Sequence, residues 1–325
     1  MHRFLIGIVL TAAIAGGALA QGKTFSVMMI MFRGATPAEQ GFTDYLKARL
    51  AVNFVMRDVD GNRSRVREFV AEAKSQHVDL IYTFGTTVTL DAVGAIGEVD
   101  PDVHVVDIPV VFNIVADPVG AALASDFAAT GRNLTGVSHL VPMPDQLRAM
   151  QRFSKVHKLG VIYNALEANS RLAVEQLRRL AAQFQFELIE APLLSGQKPD
   201  VGEIGEAMHR LIESKPDFVY LPSDSSLIER AAMIVSLASA AGVPLISATE
   251  DPIRKDGALM GLVSNYANAG AFAAYKAEQI LLGKAVAGKI PIETLQRFAL
   301  VVNMKTAKKL GIYPPLDLIK IAELL

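Results

Sequence analysis

The chain has 325 residues, with 32 Lys and Arg against 33 Asp and Glu, so its net charge is close to zero. Such balance does not favour a nucleic-acid partner, which needs clustered cations. There is no cysteine, which excludes thiolate metal sites, iron–sulfur clusters and cysteine nucleophiles. The six histidines show no His-x-x-x-His or His-x-His spacing, so neither a metal site nor a cofactor is predicted.

Residues 1–20 have the three-part layout of a cleavable signal peptide. Arg3 supplies the positive charge, residues 4–19 are apolar or small, and small residues precede the predicted cleavage point after Ala20. The apolar run is shorter than the roughly 20 residues that span a bilayer. We therefore expect an exported, soluble chain, and with no cysteine it would carry no lipid anchor.

Beyond the signal, short β-branched runs alternate with longer helical stretches, which predicts βαβ units and mostly parallel sheets. The first block predicts strands at 24–32, 51–58, 78–84 and 108–115, and helices at 37–50, 64–75, 86–96 and 119–127. The second predicts strands at 159–163, 186–191, 218–221 and 243–247, and helices at 170–184, 204–214 and 227–241. A third segment repeats strand, helix and strand at 259–264, 270–282 and 298–303.

Both blocks have the size of a domain, and the third segment completes neither of them. This organisation suggests a chain that crosses back between two lobes. Candidate crossings are Ser138–Pro144, Ala248–Ile253 and Gly288–Pro291, since each has Pro, Gly or charged residues after an apolar run.

Polar residues follow the predicted strands, where open parallel sheets bind ligands. The candidate ligand-binding residues are Arg33, Thr86, Thr87, Asn113, Asp117, Ser138, Asn164, Ser170, Ser223, Asp224, Glu250, Asn265 and Tyr266. Thr86 and Thr87 open a helix after Gly85, where free N–H groups and hydroxyls suit a carboxylate. The alternative is a helix cap without a ligand.

The acidic candidates also have simpler explanations. Asp117 before Pro118 is explained by an N-cap followed by proline at the first helical position. In the loop Ser223–Ser226, capping explains one of four polar residues, whereas an amine ligand would need a carboxylate such as Asp224 or Glu250. Glu250 could also lie in a solvated hinge. No nucleophile elbow, P-loop or dinucleotide fingerprint is present, so an enzyme is not expected.

Several runs resemble one family of proteins. They are Pro109–Phe112, Asp117–Val119, Gly131–Ser138, Gly160–Asn164, Leu221–Asp224 and Val301–Asn303. The resemblance is to ABC-transporter substrate-binding proteins related to the tryptophan- and aromatic-amino-acid-binding members, which have the type I periplasmic-binding-protein fold. It implies an α/β protein with two Rossmann-like lobes, mostly parallel sheets, a three-crossing hinge and a ligand enclosed between the lobes.

By that topology, residues 21–138 and 251–288 would form lobe one, and residues 139–250 and 289–325 lobe two. The strand and helix at 259–282 would return to lobe one. The resemblance implies a monomeric periplasmic receptor that delivers a small organic ligand, such as an amino acid, to a membrane ABC permease. A sensor that passes ligand state to a membrane signalling protein remains the alternative, because both would use the same cleft.

If the chain is a solute receptor, Thr86 and Thr87 would hold a carboxylate of the ligand, and Asp224 or Glu250 would hold an amine. Hydrogen bonds would come from Asn164, Asn265 and Ser138. A cytoplasmic repressor of similar fold is excluded by the signal peptide and by the lack of a helix-turn-helix segment. An exported enzyme would need a base with a nucleophile or a metal, and neither is visible in the sequence.

Overall fold

The computed structural model describes residues 23–196 and 198–325, so the signal peptide predicted for residues 1–20 lies outside the described residues. The strands are β1 (Phe25–Met31), β2 (Val52–Asp58), β3 (Leu80–Phe84), β4 (Val110–Val115), β5 (Leu134–Ser138), β6 (Lys158–Asn164), β7 (Glu187–Leu193), β8 (Phe218–Leu221), β9 (Leu245–Ser247), β10 (Met260–Val263), β11 (Glu293–Thr294), β12 (Ala299–Val302) and β13 (Glu323–Leu324). The helices are α1 (Pro37–Lys47), α2 (Arg65–Ser75), α3 (Gly85–Val93), α4 (Met143–Phe153), α5 (Ala168–Phe184), α6 (Val201–Glu213), α7 (Ser225–Ile228), α8 (Ala231–Ala240), α9 (Glu250–Arg254), α10 (Tyr266–Leu281), α11 (Met304–Leu310) and α12 (Leu316–Ile319).

The first sheet has the order β11-β5-β4-β3-β1-β2, and all its strands are parallel. Its central strands are buried along their whole length, as parallel strands between helices must be. Helices α1 and α10 pack closely, because Gly41 faces the carbonyl of Ala267 and Gly270 faces that of Ala38. A Cβ on Gly270 would lie 1.9 Å from the Ala38 oxygen, so only glycine permits this contact. We call this sheet, with α1, α2, α3 and α10, the first lobe.

The second sheet has the order β13-β12-β10-β9-β8-β6-β7 and is parallel except for the antiparallel pair β10 and β12. Two apolar clusters of buried residues lie on it, one containing Leu177 of α5 and the other Leu211 of α6. We call this sheet, with its helices α4 to α9, α11 and α12, the second lobe. The chain is therefore an α/β protein with two mostly parallel sheets, as predicted.

The chain passes between the two sheets three times: after β5, after β10 and after β11. The first passage coincides with the predicted crossing Ser138–Pro144. The second predicted crossing, Ala248–Ile253, instead contains the start of α9, which packs on β9, β10 and β12 of the second lobe. The third passage lies after β11 and not at the predicted crossing Gly288–Pro291. Glu293–Thr294 pairs with β5, so the first-lobe segment extends beyond residue 288.

The predicted strand at 259–264 is in the second sheet, not in the first lobe as expected. It forms β10, which pairs with β9 on one side and β12 on the other. Only the following helix, α10, returns to the first lobe, where it packs on α1, β4 and β5. The physical reason is pairing: the backbone of Met260–Val263 makes its ladder hydrogen bonds with second-lobe strands, which an apolar pattern cannot reveal.

The predicted helix at 119–127 is wrong, because this segment forms consecutive turns. Ala122 has a positive φ of 53°, and the N–H groups of Leu123 and Ala124 both bond to the carbonyl of Pro118. Leu123 and Ala124 are buried in the core of the first lobe, so the apolar pattern reflects burial and not helical periodicity. The prediction also missed β5 and α4.

Within the described ranges, no helix is long and apolar enough to cross a membrane.

Candidate functional site

A polar cavity lies between the two lobes, beyond the carboxyl ends of β1, β3 and β4 on one side and of β6 and β8 on the other. Its free volume is about 10 Å³, roughly room for one water molecule, within a space of about 340 Å³ that includes the opening to solvent. Its first-lobe wall consists of Phe32, Arg33, Phe84, Gly85, Thr86, Thr87, Ile114 and Tyr266. Its second-lobe wall consists of Glu167, Asn169, Ser223, Ser225 and Ile228.

The N-terminus of α3 faces this cavity. Gly85 has a φ of 78°, a conformation that glycine adopts without strain, and it turns the chain sharply from β3 into the helix. The N-cap position is Phe84, which cannot cap, so the first N–H groups of α3 have no side-chain acceptor. A helix start of this kind attracts anions through its free N–H groups and its dipole.

Arg33 adds a positive charge to the same wall. It follows β1, and its guanidinium lies 5.8 Å from the centre of the Phe84 ring. Its Nε atom is buried and has no hydrogen-bond partner among the described residues. Because a buried donor without an acceptor is costly, this atom marks a position where an acceptor from a ligand would be stabilising.

Glu167 provides the opposite charge from the second lobe. The hydroxyl of Thr87 donates a hydrogen bond to its Oε2 atom across the cleft, whereas its Oε1 atom is buried and has no partner in the described part of the chain. Burial, and then the nearby charge of Asp224, raise the pKa of Glu167 to about 7. A cation beside Oε1 would compensate for this cost.

Asp224, predicted to contact an amine, is not in the cavity wall. It is fully buried, and its two oxygens accept five hydrogen bonds: from the backbone of Asn164, Ser226 and Leu227 and from the hydroxyls of Ser170 and Ser226. It therefore ties the ends of β6 and β8 to the starts of α5 and α7. Its hydrogen-bonding capacity is already taken up by the protein.

Glu250, the other amine candidate, lies outside the cavity wall as well. Its Oε1 atom accepts a hydrogen bond of 2.9 Å from the backbone N–H of Tyr266, and its Oε2 atom bonds to Arg254 at 3.1 Å. The contact with Tyr266 spans the second passage between the lobes, whereas the contact with Arg254 lies within α9. Glu250 therefore positions Tyr266, whose ring does line the cavity.

Apolar side chains complete the cavity. The rings of Phe84 and Tyr266 meet edge to face with centroids 6.5 Å apart, and the ring of His139 meets Tyr266 in the same way at 5.6 Å. Burial lowers the pKa of His139 to about 4, so this histidine is neutral at physiological pH. Its Nε2 atom lies 3.1 Å from the Ser223 hydroxyl of the cavity wall.

Of the residues predicted from the sequence, the structure brings Arg33, Thr86, Thr87, Ser223 and Tyr266 into the wall. The side chains of the other predicted residues bond within the protein. Besides Asp224 and Glu250, these residues are Asn113, Asp117, Ser138, Asn164, Ser170 and Asn265. Asp117, for example, accepts a 2.8 Å hydrogen bond from Gly120 in a turn, so it does not cap a helix.

The candidates chosen from the sequence left out eight wall residues, which are Phe32, Phe84, Gly85, Ile114, Glu167, Asn169, Ser225 and Ile228. Glu167 had one visible signal, because it occupies the N-cap position of α5, where glutamate is a poor capping residue. Its carboxylate makes no cap hydrogen bond and reaches across the cleft instead. Over the described residues, no group of three or more potential metal ligands is present.

Comparison with known proteins agrees with this architecture. The family model of ABC transporter substrate binding proteins matches residues 31–324. A tyrosine-binding protein of Clostridioides difficile is 28% identical over 273 residues, which are 84% of this chain and 73% of that protein.

Two solved structures share the fold over 93% of this chain and 99% of their own. A conserved domain protein of Vibrio cholerae superposes with a TM-score of 0.82 at 25% identity. A protein of Streptococcus pneumonia in complex with L-Trp superposes with a TM-score of 0.81 at 22% identity. The match to the family model covers most of the chain, and both sheets have the arrangement of the type I periplasmic-binding-protein fold. The chain therefore belongs to the family of ABC transporter substrate-binding proteins.

Proposed function

We propose that this protein encloses an amino acid with an aromatic side chain between its lobes and delivers it to a membrane ABC permease. One observation carries the proposal. Arg33 and Glu167 line the same cavity from opposite lobes, and each has a buried atom without a partner among the described residues. A zwitterion supplies a carboxylate and an ammonium group, which are the partners that these two side chains require.

Each part of such a ligand has a complementary surface. The carboxylate would bind the start of α3 and Arg33. The ammonium group would bind Glu167 and the Oδ1 atom of Asn169, which has no hydrogen-bond partner in the described ranges. The side chain would contact the rings that line the cavity, which are Phe32, Phe84 and Tyr266. The names of two similar proteins, one binding tyrosine and one in complex with L-Trp, support an aromatic ligand.

The lobes are in contact across the cleft, which supports enclosure. The Thr87 hydroxyl donates to Glu167, and Lys198 of the second lobe lies 3.3 Å from Asp60 of the first lobe. The TM-score is 0.81 against the L-Trp complex and 0.68 against a ligand-free, open substrate-binding protein of Clostridium difficile. Closure of two lobes around a ligand removes water from the charged groups and strengthens their interactions.

A binding experiment tests the zwitterion. The purified protein is freed of bound ligand by denaturation and refolding, and calorimetry measures the affinity for L-Tyr, L-Trp and L-Phe. Tyramine lacks the carboxylate and 3-(4-hydroxyphenyl)propionate lacks the ammonium group, so each should bind at least about 30-fold more weakly than L-Tyr. Equal binding of either analogue, or no binding of any amino acid, would contradict the proposal.

We further propose that residues 1–20 direct export to the periplasm, where the protein acts as a monomer. The N-terminal sequence of the protein released by osmotic shock should begin at Gln21. Deletion of the gene should abolish uptake of the radiolabelled ligand at low concentration, and the wild-type gene should restore it. Unchanged uptake in the deletion strain would count against delivery to a permease.

A further inference from the structure

Ile114 has a backbone conformation that is unfavourable for its residue type. Its φ is 57°, in the left-handed region, where a branched Cβ clashes most strongly with the backbone. Among the described residues, five other non-glycine residues have a positive φ, and all five lie in turns or at helix ends: Asp60, His77, Ala122, Gln185 and Lys215. Ile114 differs from them because it is β-branched and lies within a strand, β4.

The surrounding structure holds this conformation in place. The pairing of β4 with β5 shifts register between Asn113 and Val115, so Ile114 is the extra residue of a β-bulge. Its N–H group donates a 3.0 Å hydrogen bond to the side-chain oxygen of Asn113. The Asn113 amide donates to the hydroxyl of Tyr82, which donates to Glu39, so the bulge is fixed to a buried chain of hydrogen bonds.

The bulge serves the cavity. Ile114 is 4% exposed, lines the cavity and belongs to the buried apolar cluster of the first lobe. Directly after the bulge, the N–H of Ala116 donates to the hydroxyl of Thr86 at 3.4 Å. Backbone strain persists only where the surroundings over-determine it, and it is concentrated at sites that use the resulting geometry. Here the bulge places Ile114 in the cavity wall.

We propose that Ile114 is a specificity-determining residue, which the strained bulge holds in the cavity wall so that its branched side chain limits the size of the ligand side chain. This inference rests on the proposed function, because it requires that an amino acid binds in this cavity. An unbranched or absent side chain would enlarge the cavity beside the rings. The preference would then move from smaller towards larger amino acids.

The test compares Ile114→Ala, Ile114→Gly and Ile114→Val with the wild type. Calorimetry gives the Kd for L-Leu, L-Phe, L-Tyr and L-Trp, and thermal melting without ligand gives the stability. We expect Ile114→Ala to change the ratio of the L-Leu and L-Trp Kd values by about 10-fold or more in favour of L-Trp. Ile114→Val keeps the branch, so it should keep the wild-type ratio within about 3-fold.

Two further comparisons separate strain from specificity. Ile114→Gly should melt at a higher temperature than Ile114→Ala, because glycine adopts a positive φ without strain. Ala122→Gly is the matched control: it relaxes a φ of 53° outside the cavity wall, so it should leave all Kd ratios unchanged.

If Ile114→Ala lowers all four affinities equally, or leaves them unchanged, the assignment is overturned and the proposed function stands. If the wild type binds none of the four amino acids, both fail together, whatever the melting temperatures.

Discussion

Two buried carboxylates lie at the starts of two helices of the second lobe, and they differ in how far the protein satisfies them. At the start of α7, Asp224 accepts five hydrogen bonds. At the start of α5, Glu167 accepts one from Thr87 and keeps its other oxygen without a partner among the described residues. The comparison teaches that burial and negative charge do not by themselves point to a ligand-binding acid. The proposed role of Glu167 rests instead on its incomplete set of hydrogen-bond donors.

Replacing Asp224 should give the largest effect, and the effect should be on stability. Asp224→Ala leaves buried donors on Asn164, Ser170 and Ser226 without an acceptor, so we expect the free energy of unfolding to fall by about 4 kcal/mol. Urea denaturation of the ligand-free protein measures it. Asp224→Asn keeps the shape and part of the accepting capacity, so it should cost less. A stable Asp224→Ala variant that has lost ligand binding would contradict this prediction, because it would assign binding and not stability to Asp224.

Replacing Glu167 should affect binding and spare the fold. Glu167→Gln removes the charge that would pair with the ammonium group, so we expect the affinity for the amino acid to fall about 100-fold. The ligand-free stability should not decrease, because the variant no longer buries an ionisable carboxyl group that has only the Thr87 hydroxyl as its donor among the described residues. Calorimetry and urea denaturation of the same preparation give both values. As an internal control, the analogue without the ammonium group should bind the variant and the wild type with similar affinity.

A smaller effect should appear as a dependence on pH. The pKa of Glu167 is raised above its ordinary value of 4.5 to about 7, so the folded protein holds this proton more tightly than the unfolded chain. The resulting stabilisation is present below pH 4.5 and is lost as the pH rises through about 7. The ammonium group of a ligand favours the ionised carboxylate, so affinity should change in the opposite direction. From pH 8 to pH 6 we expect it to decrease about 10-fold.

The measurement is calorimetry at several pH values in buffers of different ionisation enthalpy, which counts the proton released when the ligand binds. In Glu167→Gln both the proton release and the decrease in affinity should disappear. His139 should not contribute, because burial lowers its pKa to about 4. A proton release that survives in Glu167→Gln would assign the titration to a different group.

Many of the strands and helices could be predicted because burial periodicity is a local property, although β5 and α4 were missed and the helix expected at 119–127 is absent. The helix expected at 170–184 begins two residues earlier, at Ala168, and ends at Phe184 as predicted. The lobe to which β10 belongs could not be predicted, because an apolar strand looks the same in either sheet. Pairing with β9 and β12 places β10 in the second sheet. Because β12 follows α10 in the sequence, this pairing is not a local property of the chain.

The site was less predictable than the fold for a similar reason. The glycine turn before Thr86 and Thr87 is a local signal, and it led to wall residues. The roles of Asp224 and Glu167 depend on groups that are distant in the chain. Donors from β6, α5 and α7 converge on Asp224, and Thr87 reaches Glu167 from the other lobe. The sequence of a polar loop does not show how many hydrogen-bond donors will contact the carboxylate within it.

The discontinuous build of the first lobe bears on the order in which the chain folds. Residues before 139 form five of its strands, but α10 and β11 come from residues 266–294. Until these are available, the glycine face of α1 is uncovered and the edge of β5 is unpaired. The second lobe likewise waits for β12 and β13. Neither lobe can complete its core while the C-terminal segment is still being synthesised, so the two lobes reach their final packing late and nearly together.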